Sequence, residues 1–65
     1  MQVNVNGELT ELAAVQLAAA LIELGYADAI VATALNGTFV PEEERKETRL
    51  QTNDAIEILA PMSGG

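Results

Sequence analysis

Cysteine and histidine are both missing from these 65 residues. Zinc ligation through thiolate or imidazole, disulfide stapling, thiol nucleophiles and imidazole acid–base chemistry are therefore excluded from this chain. Any sulfur it handled would have to arrive from elsewhere. Positive charge is nearly as scarce: three basic residues stand against ten acidic ones, for a formal net charge of -7. The three, Arg45, Lys46 and Arg49, sit together in one short stretch. A duplex-binding protein needs a stripe of cations to release counterions from phosphates, and this chain carries the opposite field, so nucleic acid and anionic membrane are excluded as partners. The acidic bias instead aids solubility and steers the protein toward a basic docking surface. Long apolar runs are lacking too. The richest stretch, Leu12 to Leu24, is interrupted by Gln16 and Glu23 and is too short to span a bilayer. Met1-Gln2-Val3-Asn4-Val5 has no basic flank and alternates instead of forming an apolar run, so no targeting segment is expected and the expected location is cytoplasmic. A chain of this length has room for one domain and one small core, burying about 60% of the surface its unfolded form exposes. A self-contained enzyme with a deep pocket is not expected.

What is present organises the chain into short elements. Val3 and Val5 alternate with Gln2 and Asn4 and then meet Asn6-Gly7, the pair best suited to a type I′ hairpin turn, which needs positive φ at both central residues. This predicts a strand over residues 1 to 6 and a partner strand beginning at Glu8. Leu17, Leu21 and Leu24 then recur at helical spacing, widened by Ala14, Ala18 and Ile22. The alanines favour helix from Ala13 to Leu24, with Thr10 either capping it or finishing the second strand, and Gly25 suits the left-handed residue just past the end. Ala29 to Leu35 is apolar and partly β-branched, and a second Asn-Gly pair, Asn36-Gly37, leads into Thr38-Phe39-Val40. Pro41 suits the first position of a helical turn, and Glu42, Glu43 and Glu44 suit its positive end. The charged run through Arg49 reads as a solvated connector, with a docking patch as the alternative. After the Asn53-Asp54 turn signal, Ala55 to Leu59 forms a last strand with Ile56 and Ile58 on one face and Glu57 on the other.

One helix on one face of a small mixed sheet is an α+β arrangement. Val3, Val5, Leu17, Leu21, Ile56 and Ile58 bury one another only if the helix packs across the sheet, so they are expected to share one core. Two segments result: a domain over residues 1–60 and a tail over residues 61–65 ending in Ser63-Gly64-Gly65.

That tail carries the candidate chemistry. Two glycines without Cβ atoms can thread a channel too narrow for any side chain. A bare carboxylate on such an arm can attack the α-phosphorus of ATP held by a partner enzyme, become an acyl-adenylate, and be displaced by a sulfur or nitrogen nucleophile. Gly64 and Gly65 are expected to be mobile in the isolated protein and ordered only when threaded. The competing reading is an inert, frayed terminus. Leu59, Pro61 and Met62 lie between the strand and the glycines, and apolar surface left exposed there would form a docking surface, Met62 being adaptable enough for more than one partner. For Leu59 the alternative is that it completes the core.

The ordered landmarks are Asn6-Gly7, the amphipathic helix, Leu35-Asn36-Gly37-Thr38-Phe39-Val40-Pro41, Leu50 through Asn53-Asp54-Ala55-Ile56-Glu57-Ile58-Leu59, and Gly64-Gly65. Over the whole chain they resemble the bacterial sulfur carrier proteins of thiamine biosynthesis. The resemblance implies a ubiquitin-like β-grasp fold with the first and last strands as parallel neighbours at the centre of the sheet. It implies a carrier and not an enzyme, with no permanently bound cofactor and no metal. A ubiquitin-activating-like adenylyltransferase would use ATP and magnesium to adenylate the Gly65 carboxylate, with Gly64 and Ser63 threading its site. A persulfide sulfur donor would then replace AMP to leave a Gly65 thiocarboxylate, and thiazole synthase would take the sulfur. The chain departs from the family where Pro41 is followed by Glu42-Glu43-Glu44-Arg45, because members often carry Arg after the proline and an aromatic a few residues on. Carry-over of a docking role to that segment is weakened. Two alternatives share the tail: the small subunit of molybdopterin synthase, and a ubiquitin-like modifier joined to lysines.

Overall fold

The computed structural model describes residues 1–61. The readings that rest on Met62, Ser63, Gly64 and Gly65, including the mobility of the glycines, lie outside the described residues.

The two Asn-Gly pairs build the two hairpins. Asn6 and Gly7 have φ of 52° and 84°, and Asn36 and Gly37 have 51° and 85°, the left-handed values that a two-residue hairpin loop demands and that Asn and Gly tolerate best. The first turn joins β1 (Gln2–Val5) to β2 (Glu8–Glu11), with Val5 opposite Glu8. The second joins β3 (Ala32–Leu35) to β4 (Thr38–Val40), with Leu35 opposite Thr38. Between the hairpins lies α1 (Leu17–Glu23), and after them come a 3₁₀ segment (Glu42–Glu47) and β5 (Ala55–Leu59). The sheet order is β2-β1-β5-β3-β4, with β1 and β5 parallel and every other pair antiparallel. This is the β-grasp topology that the resemblance implies, with the last strand inserted between the two hairpins.

The period-2 alternation of the strands points Val3, Thr33, Val40, Ile56 and Ile58 to one face, where Leu17, Ala20 and Leu21 of the helix cover them. Val5 packs against this core while remaining half-buried. Leu12 and Leu50, neither expected in the core, are also buried in it. Among the described residues, Thr33 is the one buried polar residue; its hydroxyl donates to the Val40 carbonyl at 2.9 Å. No buried side-chain nitrogen or oxygen among the described residues lacks a hydrogen-bond partner.

The helix is shorter than the alanine-rich sequence predicts, beginning at Leu17 and not at Ala13. Tertiary pairing wins over propensity in residues 13–16. The amides of Ala13 and Ala14 donate to the Glu23 carboxylate. Gln16 is extended at ψ 149° and bridges Arg49, while Leu50 donates to the Val15 carbonyl and Leu17 to that of Thr48. Thr10 belongs to β2. Leu17, Ala20 and Leu21 form the inward stripe, and Ile22, about 100° further round the helix, falls outside it and is 64% exposed. The far end ends as the sequence predicts, in a Schellman motif: Gly25 at φ 95° donates to Ile22 and Tyr26 to Leu21.

Two further differences concern the second half. Residues 29–31 lie outside β3, which starts at Ala32, and Ile30 is exposed. Pro41 stands one place before the 3₁₀ segment, at φ -66° and ψ 156°, so Glu42 to Glu44 fill the first turn. The charged run is not simply a solvated connector either. Arg45 is half-buried, and its guanidinium donates from Nε to Thr33 Oγ1 at 3.1 Å and from Nη2 to the Val31 carbonyl at 2.6 Å, tying the segment to β3.

Candidate functional site

Strand β5 places the root of the tail. Its alternation sends Ile56 and Ile58 into the core and leaves Ala55, Glu57 and Leu59 on the face opposite the helix. Leu59 is 70% exposed, so it does not complete the core, and Pro61 beyond it is exposed too. The expected apolar surface beside the tail is present at these two residues. Met62, Ser63, Gly64 and Gly65 fall outside the described residues.

The sheet register extends this surface. Leu59 lies opposite Ala32, while Ala34 lies between Glu57 on one side and Phe39 on the other. Phe39 is 65% exposed on the same uncovered face. Small alanines on β3 thus leave open the ground between Leu59 and Phe39, the kind of surface on which a partner excludes water. Sequence reasoning passed over Phe39. The signal was available in the alternation, because an inward Val40 requires an outward Phe39.

The strand that bears the tail is held at both ends by the two turn asparagines. At its start, Ala55 donates to Asn36 Oδ1 at 2.9 Å, and Asn36 donates through its backbone to the Ala55 carbonyl and through Nδ2 to Asp54 Oδ1. At its end, Ile58 donates to Asn6 Oδ1 at 2.8 Å, and Asn6 Nδ2 donates to the Ile58 carbonyl at 3.2 Å. Both asparagines read in the sequence as turn formers alone.

The Glu23 carboxyl is held below the usual range by the amides of Ala13 and then Ala14, and it belongs to the loop clasp on the helix side. Among the described residues, no group of three or more His, Cys, Asp or Glu side chains is placed to hold a metal ion. No helix among them is long and apolar enough to cross a membrane. A shallow groove between α1 and the 3₁₀ segment, floored by Ala18, Leu21 and Tyr26 and edged by Glu42 and Glu43, lies on the helix side, away from Leu59. The described residues leave Leu59, Phe39 and Pro61 uncovered on the face opposite the helix and at the end of β5.

The comparisons with known proteins agree with that geometry. The ThiS family model matches residues 3–65. A crystal structure of the thiamine biosynthesis protein ThiS from Geobacter metallireducens is similar at a TM-score of 0.84 and 30% identity, covering 100% of both chains. A solution structure of a thiamine biosynthesis protein from the same organism is similar at a TM-score of 0.81 and 29% identity, covering 100% of this chain and 88% of the other. No curated protein matches the chain. A family model spanning all but the first two residues, on a sheet whose last strand lies between two hairpins, makes this chain a member of the ThiS family.

Proposed function

We propose that the protein is a sulfur carrier for the thiazole branch of thiamine biosynthesis, built as a domain over residues 1–60 and an arm over residues 61–65. The observation that carries the reading is the family match running through Gly65 on a fold that leaves Leu59 and Pro61 uncovered at the root of the arm. In this reading, an oxygen of the Gly65 carboxylate attacks the α-phosphorus of ATP in a ubiquitin-activating-like adenylyltransferase. Pyrophosphate leaves with magnesium screening its charge, and an acyl-adenylate forms. The terminal sulfur of a persulfide donor then attacks the acyl carbon and expels AMP, giving an acyl disulfide. A second thiol cleaves the S–S bond, is itself oxidised to a disulfide, and frees the Gly65 thiocarboxylate. Thiazole synthase accepts that sulfur and the carboxylate returns.

The division of labour suits the chain. With no histidine and no cysteine, it contributes the acyl group and the docking face, and its partners contribute the catalytic residues. Gly64 and Ser63 would line the narrow approach to the active site, while Leu59, Pro61 and Met62 would rest against the partner. The similarity to thiamine biosynthesis proteins favours this branch over the small subunit of molybdopterin synthase. All of these steps are set in the cytoplasm. The test is adenylation by the host's own adenylyltransferase, followed as ATP-dependent pyrophosphate release. Gly65→Val, Gly64→Val, deletion of Gly65 and extension by one residue should each abolish it at unchanged thermal stability. Normal turnover by the extended protein, with no prior processing, would favour the inert-tail reading instead.

A further inference from the structure

The parallel ladder between β1 and β5 runs out before β5 does. Asn4 donates to the Asp54 carbonyl and Asn6 to that of Ile56, each at 2.8 Å. The next two rungs of a parallel ladder would pair the Ile58 amide with the carbonyl of residue 6 and the Ile58 carbonyl with the amide of residue 8. The chain cannot supply them, because Asn6 and Gly7 turn left-handed to start the hairpin. The Asn6 side chain takes their place. Its carboxamide accepts from the Ile58 amide at 2.8 Å and donates to the Ile58 carbonyl at 3.2 Å, standing in for a whole missing peptide group. On the other side, β3 pairs with Ile58 and Leu59 through Thr33 and Ala32. Asn6 is therefore what ties the last turn-side rung of β5 to the first hairpin, one residue before Leu59 and three before Pro61.

We infer that Asn6 is a positioning residue for the carrier reaction: its carboxamide fixes the root of the arm, so that a partner docked on the Leu59 and Phe39 face receives the Gly65 carboxylate in its active site. The inference rests on the carrier reading. Adenylation within a docked pair is an intramolecular event whose rate follows the effective concentration of the carboxylate at the site, and this depends on where and how firmly the arm is rooted. Asn36 supplies an internal control. It is the same residue in the same kind of turn, with a carboxamide bonded to the same strand, but at Ala55, the end of β5 remote from the arm.

The experiment compares Asn6→Gly with Asn36→Gly, since glycine accepts the positive φ and removes only the carboxamide. Adenylation is measured with the host's adenylyltransferase at a temperature where both variants are fully folded. Asn6→Gly should lower kcat/KM by on the order of tenfold, chiefly through kcat because the docking face is intact, whereas Asn36→Gly should stay within about twofold of the unmodified protein. Asn6→Asp keeps the acceptor for the Ile58 amide and loses the donor to its carbonyl, so it should fall between Asn6→Gly and the unmodified protein. Amide exchange of the isolated protein gives a reading that needs no partner: in Asn6→Gly, which removes the acceptor of the Ile58 amide, that amide should exchange faster relative to Ile56 than in the unmodified chain. Equal losses in the two glycine variants, wild-type kcat/KM in Asn6→Gly, or unchanged relative exchange at Ile58 would overturn the inference while leaving the carrier reading standing. Failure of the unmodified chain to be adenylated at all would overturn the carrier reading, and this inference with it.

Discussion

Replacing Arg45 by alanine should destabilise the domain although the residue sits in a run of exposed charges. Its guanidinium makes two hydrogen bonds, to Thr33 Oγ1 at 3.1 Å and to the Val31 carbonyl at 2.6 Å. Hydrogen bonds involving a charged partner are worth about 1.5–3 kcal/mol each when well shielded, and a half-exposed guanidinium recovers part of that from water. A net loss of roughly 1–3 kcal/mol for Arg45→Ala follows, against a total stability of about 3–10 kcal/mol for a domain of this size. With a urea slope of about 1 kcal/mol/M, the midpoint should fall by roughly 1–3 M. Lys46→Ala is the control: Lys46 is exposed, and a surface substitution of that kind should stay within about 0.5 kcal/mol. Arg45→Lys should recover little, because an ammonium cannot present two fixed, planar donors. The assay is urea unfolding followed by far-ultraviolet circular dichroism. Coincident midpoints for Arg45→Ala and Lys46→Ala would refute the reasoning and return the segment to a solvated connector.

Leu21→Ala empties part of a core in which Leu21 is 5% exposed and should cost about 2–5 kcal/mol, read from the same unfolding curves. Glu23 has a lowered pKa in the folded state because its carboxylate accepts from Ala13 and then Ala14. Its contribution is therefore fully present above the unfolded value of 4.5 and is lost as pH falls through the lower folded value. Glu23→Gln should accordingly flatten the acid limb of a stability–pH profile, and an unaltered limb would count against the clasp. Leu59→Asp and Met62→Asp should each weaken adenylation without unfolding the domain, Leu59 being 70% exposed, and unchanged adenylation kinetics would remove the docking role.

The parts of this fold legible in the sequence are those written in local chemistry. Asn6-Gly7 and Asn36-Gly37 demanded positive φ and received it, Gly25 ended the helix, and the alternation around Val3 and around Ile56 and Ile58 set which face was buried. The β5 insertion beside β1 came only from the resemblance, since nothing in a strand's own pattern names its neighbour. What stayed hidden depends on residues far apart in the chain. Ala13 and Ala14 favour helix, but Glu23 and the 48–50 segment claim the surrounding backbone. Arg45 looks like one charge among many until Thr33 and the Val31 carbonyl are brought to it. At the candidate site, Leu59 and Pro61 were marked by their place before Gly64-Gly65. Phe39 joined them only once the β3–β4 register set it on the same face.

The central claim is that Gly65 carries sulfur. Its most direct test is the intact mass of the protein isolated, without reductive or alkylating treatment, from cells forced to make their own thiamine. The account predicts a fraction heavier than the sequence mass by the difference between one sulfur and one oxygen, with the increment located at Gly65 by fragmentation and lost when the adenylyltransferase is deleted. A single unmodified species under those conditions, or an increment located elsewhere in the chain, would contradict it.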